Sequence, residues 1–237
     1  MDKNVLQYLY IYISEAKVNI KKLNTRPDAS NVWLVWDASG EAALIDASVE
    51  PSALKRELDS LGLTLKYILL THAHFDHMLY INELAHASGA TVALGDRDVP
   101  ALRDPRQNLS SYFCATPIAY TGDALALSDR DVIRLGSTEL SVAHFPGHTP
   151  GLVAYIGEDV AFVGDLLFRG SIGRTDFPGS SHTDMIRSLV KLKTLDPKLK
   201  ICSGHGVDTL LGFEFENNHF FMEAAAYAAE YDGRSKN

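Results

Sequence analysis

Thr71-His72-Ala73-His74-Phe75-Asp76-His77 is the stretch whose reading decides how this chain folds. Before it runs Leu65–Leu70, apolar except for Lys66, as expected of a strand covered on both faces. After it comes a predicted helix from about Met78 to Ala87, ended by Gly89. The stretch is therefore a strand-to-helix turn carrying four potential metal ligands in six positions. His72 and His74 project to the same side, because side chains of extended backbone alternate with period two. Asp76 and His77 come where the helix begins and turn toward the same cavity. A solvated polar loop is the alternative, but it does not account for three histidines and a carboxylate set against the end of a buried strand.

Three further positions share this setting at strand ends. His148 lies in Pro146-Gly147-His148-Thr149-Pro150-Gly151, Asp165 follows the predicted strand Val160–Gly164, and His205 lies in Ser203-Gly204-His205-Gly206 after Lys200-Ile201-Cys202. A glycine precedes each, which permits tight turns and close backbone approach. His72, His74, Asp76, His77, His148, Asp165 and His205 make seven groups. A catalytic zinc takes about three protein ligands plus water, so seven groups suit two divalent metals with one bridging carboxylate. Asp165, with two oxygens, is the natural bridge. Imidazole and carboxylate without thiolate admit zinc, iron or manganese and do not select among them; zinc is the first expectation. Asp46, ending a predicted strand, is either a partner for a histidine N–H or a turn carboxylate.

Outward from these residues, strands come first, then a helix, then strand and helix in alternation. Tyr8–Ser14, Asn31–Asp37 and Glu41–Asp46 read as strands, with Ser39-Gly40 as a hairpin turn. Pro51–Leu61 reads as a helix, with proline in its first turn and Gly62 as its stop. Thr91–Leu94 is a buried strand, and Asp96–Ser128 a short helix and a long loop, suited to a lid or to the contact of a homodimer. Val132–Leu135, Glu139–Phe145, Leu152–Ile156, Val160–Gly164 and Lys200–Ser203 read as strands, Thr183–Leu195 as a helix, and residues 213–231 as a C-terminal amphipathic helix. Two halves of strands followed by helices predict an α+β fold, two sheets packed together with helices outside, in one domain spanning residues 1–237.

Composition narrows the function. With 46% hydrophobic and 22% charged residues the chain is neither disordered nor collagen-like, and no apolar run approaches a membrane span. A net charge of −8 argues against nucleic acid as a partner. Cys114 and Cys202 lie far apart and fit a reducing compartment. Val5–Ile13 is apolar but lacks a basic flank and a cleavage site, so a cytoplasmic enzyme is expected.

His72-Ala73-His74-Phe75-Asp76-His77 with His148, Asp165 and His205 downstream resembles the metallo-β-lactamase superfamily. The resemblance implies a four-layer αββα sandwich with the metals at one edge. It implies that His72, His74 and His148 hold the first metal, that Asp76, His77 and His205 hold the second, and that Asp165 bridges. β-Lactamases with two metals commonly carry cysteine where this chain has Asp165. Gly147–Gly151, Gly164-Asp165-Leu166-Leu167-Phe168 and Gly173-Arg174-Thr175-Asp176-Phe177 are instead similar to the glyoxalase II group, above all to its short microbial members. That likeness implies hydrolysis of a small-molecule hydroxyacyl thioester by a hydroxide shared between two metals, with Asp76 and Asp165 as the catalytic carboxylates. Longer members add a C-terminal helical domain that helps hold glutathione, whereas 32 residues follow His205 here, which leaves the thiol carrier open. Persulfide dioxygenases resemble the same pattern and imply a single iron on His72, His148 and Asp165. Arg174 and Asp176 either contact a substrate carboxylate or brace their loop by pairing.

Overall fold

Strand β1 (Asn19–Lys22) pairs antiparallel with β2 (Trp33–Trp36), and β2 with β3 (Glu41–Ile45) across the turn at Gly40, whose φ of 82° lies in the left-handed region. The structure, a computed structural model, describes residues 18–23 and 29–234, so the predicted strand Tyr8–Ser14 lies outside the described residues. Helix α1 (Pro51–Leu61) starts on its proline and stops at Gly62, and then β4 (Thr64–Leu69) runs parallel to β3. A 3₁₀ turn at Phe75–His77 leads to α2 (Ile81–Ser88), and β5 (Thr91–Gly95) adds parallel to β4. After a 3₁₀ segment at Asp96–Leu102 and the short α3 (Ser110–Phe113), β6 (Ala124–Leu127) completes a six-stranded sheet in the order β1-β2-β3-β4-β5-β6.

The second half builds a second sheet. β7 (Val132–Leu135), β8 (Thr138–His144), β9 (Val153–Ile156) and β10 (Val160–Gly164) form an antiparallel meander. A small hairpin of β11 (Leu167–Phe168) and β12 (Ser171–Ile172) precedes α4 (His182–Leu192). β13 (Lys200–Ser203) pairs parallel with β10, β14 (Thr209–Leu210) closes the edge, and α5 (Leu211–Asn217) and α6 (His219–Arg234) follow. Three apolar layers follow from this arrangement. Val35, Ile45, Leu69, Val142, Tyr155 and Phe162 fill the space between the sheets. Leu44, Leu54, Ile68 and Ile81 seal α1 and α2 to the first sheet, and Phe145, Val163, Leu189 and Phe221 seal α4 and α6 to the second. The result is the αββα sandwich that the resemblance implied.

Four departures from the sequence reading have local causes. The edge strand β1 carries Lys21 and Lys22 and alternates only weakly, so it lacks a strand pattern. β6 is alternating Ala and Leu inside a proline-rich region, and alanine is a poor strand former. α2 begins at Ile81 rather than Met78 because Phe75–His77 is a separate 3₁₀ turn. The predicted C-terminal helix 213–231 is two helices. Asn218 is extended between them, and its Oδ1 accepts the Phe220 N–H as an N-terminal cap. Among the described residues no helix is long and apolar enough to cross a membrane.

Candidate metal centre

Five strands end at one edge of the sandwich, and each delivers a functional side chain. β3 leads to Asp46, β4 to His72, β8 to His148, β10 to Asp165 and β13 to His205. Parallel strands aligned this way bring residues at their carboxyl ends into one crevice. The two sheets are also pinned together there. Val153 donates its N–H to Thr71 O at 2.9 Å, and the buried Tyr155 hydroxyl donates to Leu70 O at 2.7 Å.

The seven predicted ligands all converge. His74 Nδ1 lies 3.1 Å from His72 Nε2 and 2.8 Å from His148 Nε2, so three imidazole nitrogens face a single point. A second trio gathers Asp76, His77 and His205, with His205 Nε2 3.0 Å and His77 Nε2 3.9 Å from Asp76 Oδ2. Asp165 stands between them, its Oδ2 3.5 Å from His148 Nε2 and its Oδ1 3.3 Å from His77 Nε2. A Cβ at Gly204 would lie 2.3 Å from Asp165 Oδ1, which is why glycine precedes His205.

These groups fit divalent cations. His77 Nε2 and Asp165 Oδ1 are buried without a hydrogen-bond partner, although buried polar atoms are nearly always satisfied. Both atoms point into the same space, and the donor set is imidazole and carboxylate, which suits zinc, iron or manganese.

Burial and the surrounding imidazoles push His72 well below the ordinary histidine value and His74 down to about 3, so both present neutral lone pairs. His77 goes the other way. Burial disfavours its charge, but Asp46, Asp165 and Asp76 outweigh burial and raise its pKa. Burial likewise opposes the Asp165 carboxylate, and His77, His148 and His205 overcome it and hold the pKa below the usual range.

Backbone and side chains around the ligands fix their rings. Asp46 Oδ2 sits 2.8 Å from His77 Nδ1, while its Oδ1 accepts the Thr71 N–H at 2.9 Å. Asp46 is thus a histidine partner and not only a turn carboxylate, and it holds a φ of 62°, a left-handed conformation that aspartate and asparagine adopt more readily than most residues other than glycine. His148 Nδ1 lies 2.8 Å from the Arg174 carbonyl. The Arg174 side chain pairs with Asp176 through two contacts of 2.8 Å, which is the bracing reading. Sequence reasoning missed Asp98, 2% exposed beneath the site. Its signal was available: it is a carboxylate just beyond the end of the buried strand β5, the same setting as Asp46 and Asp165. Beside His74 opens a cavity of about 290 Å³, lined by Arg97, Gln107, Thr149, Pro150 and Gly179 among others.

Comparison with known proteins agrees with this geometry. The sequence profile of the Metallo-beta-lactamase superfamily matches residues 25–205. The chain is 32% identical over 207 residues to hydroxyacylglutathione hydrolase GloC of Haemophilus influenzae, covering 86% of this chain and 98% of that protein. Among solved structures it resembles BLEG-1 B3 metallo-beta-lactamase, with a TM-score of 0.79 and 34% identity over 85% of this chain and 99% of the other. It also resembles TTHA1623 in a di-iron-bound form, with a TM-score of 0.75 and 35% identity over 84% and 99% of the two chains.

Proposed function

The chain belongs to the metallo-beta-lactamase superfamily, and from that premise we propose that this hydrolase acts on thioesters, as a hydroxyacylglutathione hydrolase does. The observation that carries the reading is the pair of ligand trios joined by Asp165. His72, His74 and His148 would hold one cation, Asp76, His77 and His205 the other, and Asp165 both. Zinc is the first candidate, with iron and manganese next. Cations so held acidify water and polarise an acyl carbonyl oxygen.

The protein's own groups do the remainder. Asp76, part-exposed at the rim, accepts a hydrogen bond from the attacking water and aims it at the acyl carbon. The Asp165 carboxylate, held ionised by its three imidazole neighbours, keeps the two trios at a fixed separation. The cavity beside His74 gives room for the acyl group or the thiol carrier. The leaving thiol has an ordinary pKa of about 8.5, so it departs as thiolate without a strong acid nearby.

Metal analysis of the purified protein beside a small panel of hydroxyacyl thioesters tests the reading. Two cations per chain and thiol release are expected, and a metal-loaded enzyme inert toward every thioester would refute it. The second reading, a persulfide dioxygenase, would use His72, His148 and Asp165 of the same site, and it shares the Gly173-Arg174-Thr175-Asp176-Phe177 segment. It requires one iron per chain and oxygen uptake with glutathione persulfide.

A further inference from the structure

Asp98 is not a ligand, yet it touches both turns that carry the first trio. It lies in the 3₁₀ segment after β5, lining the cavity beside His74, and its carboxylate takes three hydrogen bonds. Oδ2 accepts the Ala73 N–H at 3.2 Å and the Thr149 hydroxyl at 2.7 Å, and Oδ1 accepts the Gly151 N–H at 2.7 Å. Ala73 separates His72 from His74, and Thr149 follows His148. The two turns belong to different sheets and lie 74 residues apart in sequence at His74 and His148. The fit is tight. A Cβ at Gly151 would lie 2.3 Å from Asp98 N, and one at Gly95 would lie 2.0 Å from Gly151 O, so only glycine serves at either position.

We propose that Asp98 is the positioning residue of the first metal: its carboxylate sets the His72-Ala73-His74 turn against the His148-Thr149 turn and so fixes where the three imidazole nitrogens meet. No other residue type does this. Three donors converge on one side chain, and two of them are backbone N–H groups that cannot become acceptors. An amide at this position presents only one oxygen. Turned one way it leaves the Gly151 N–H facing an NH₂ group, and turned the other way it leaves the Ala73 N–H facing one. Either turn is then freed from the other, and the 2.8 Å approach of His74 to His148 is no longer imposed. The second trio hangs on different supports. Asp46 orients His77, and the Asp76 carbonyl accepts from Ser30 N and Ser48 Oγ. The loss therefore falls on one metal and not on the other.

The inference rests on the proposed metal centre, and the test separates the two. Metal-free full-length protein is titrated with zinc against a chromophoric chelator in two backgrounds. His205→Ala disables the second trio, and His148→Ala disables the first. In the His205→Ala background, Asp98→Asn is expected to weaken zinc by about tenfold or more, the range found when a ligand-supporting group is lost, while the shift in the His148→Ala background stays below about threefold. A purely structural role would weaken both backgrounds alike or neither, and that outcome overturns the proposal. If circular dichroism shows that Asp98→Asn does not fold, Thr149→Val carries the test. It removes one donor of three and is expected to give a several-fold loss confined to the His205→Ala background; equal losses in the two backgrounds overturn the proposal as well. Wild-type protein that binds no zinc, iron or manganese would overturn the metal centre itself, whereas wild type binding two with no selective loss overturns only the role of Asp98.

Discussion

Asp165 and Asp46 do different work with the same side chain. Asp165 reaches a histidine of each trio, so Asp165→Ala is expected to lose metal at both positions and thioester hydrolysis together. Elemental analysis beside a thiol-release assay checks this, and full turnover by a metal-depleted variant would reject the scheme. His72→Ala should instead weaken the first cation more than the second, since His72 Nε2 lies 3.1 Å from His74 Nδ1 within the first trio. Asp46 acts one step back, through His77 Nδ1. Asp46→Asn tolerates the left-handed backbone, because asparagine is among the residues that do. It can no longer accept from Thr71 N–H and His77 with the same two oxygens. Zinc affinity of the second trio, read by titration in the His148→Ala background, is expected to drop about 10- to 100-fold with unchanged circular dichroism. A variant that binds zinc like its parent would remove Asp46 from the site.

Elements were legible where their end signals were local. Pro51 and Gly62 bracket α1, and the unbroken apolar run of β10 marks a buried strand. They were opaque where a partner far along the chain decides. β11, β12 and the break at Asn218 exist because of one another. Asn218 Nδ2 donates to Ser171 O at 3.0 Å, and Glu214 Oε2 accepts the Gly170 N–H at 2.8 Å. The same Glu214, fully buried, also accepts from Thr209 Oγ1 at 2.6 Å and Asn218 Nδ2 at 3.0 Å. This network pins the hairpin that follows Asp165 to the C-terminal helices. Glu214→Ala leaves the buried Thr209 hydroxyl without its acceptor and removes the acceptor of the Gly170 N–H, while the Asn218 amide keeps Ser171 O; the cost of one such buried group is about 1–3 kcal/mol. Urea unfolding of the metal-free protein should show a loss of at least that size. A change within about 0.5 kcal/mol, ordinary for a surface substitution, would mean that the hairpin is held by packing alone.

At the scale of the molecule, the sandwich must be closed at both ends for five strand ends to meet at one. The metal edge has its own cross-links, and the opposite edge is clamped by Asp37. This residue follows β2, 3% exposed, and reaches from the first sheet to the β7–β8 turn of the second. Its Oδ1 accepts the Ser39 N–H at 2.8 Å, and its Oδ2 accepts the Ser137 N–H at 2.8 Å and the Ser137 hydroxyl at 3.0 Å. Glu41 repeats the tie, accepting the Gly136 N–H at 2.9 Å. Nothing in the local sequence marks Asp37 as more than a turn residue, because its second partner lies 100 positions away. Burial works against its charge, but the hydrogen bonds from Ser39 and Ser137 prevail and lower its pKa to about 2. An unfolded aspartate titrates near about 3.9, so the folded protein holds this charge more tightly than the unfolded chain. The stability that follows is fully present above about pH 4 and is lost as pH falls toward about 2, a contribution of about 2 kcal/mol. Asp37→Asn has no such charge to titrate. Urea midpoints of wild type and variant, both metal-free, should differ most at neutral pH and converge between about pH 4 and pH 2, while the many site carboxylates affect both proteins alike. A gap that stays constant across that window would show that Asp37 contributes by shape and not by charge, and the clamp at the far edge would then be no more than a turn.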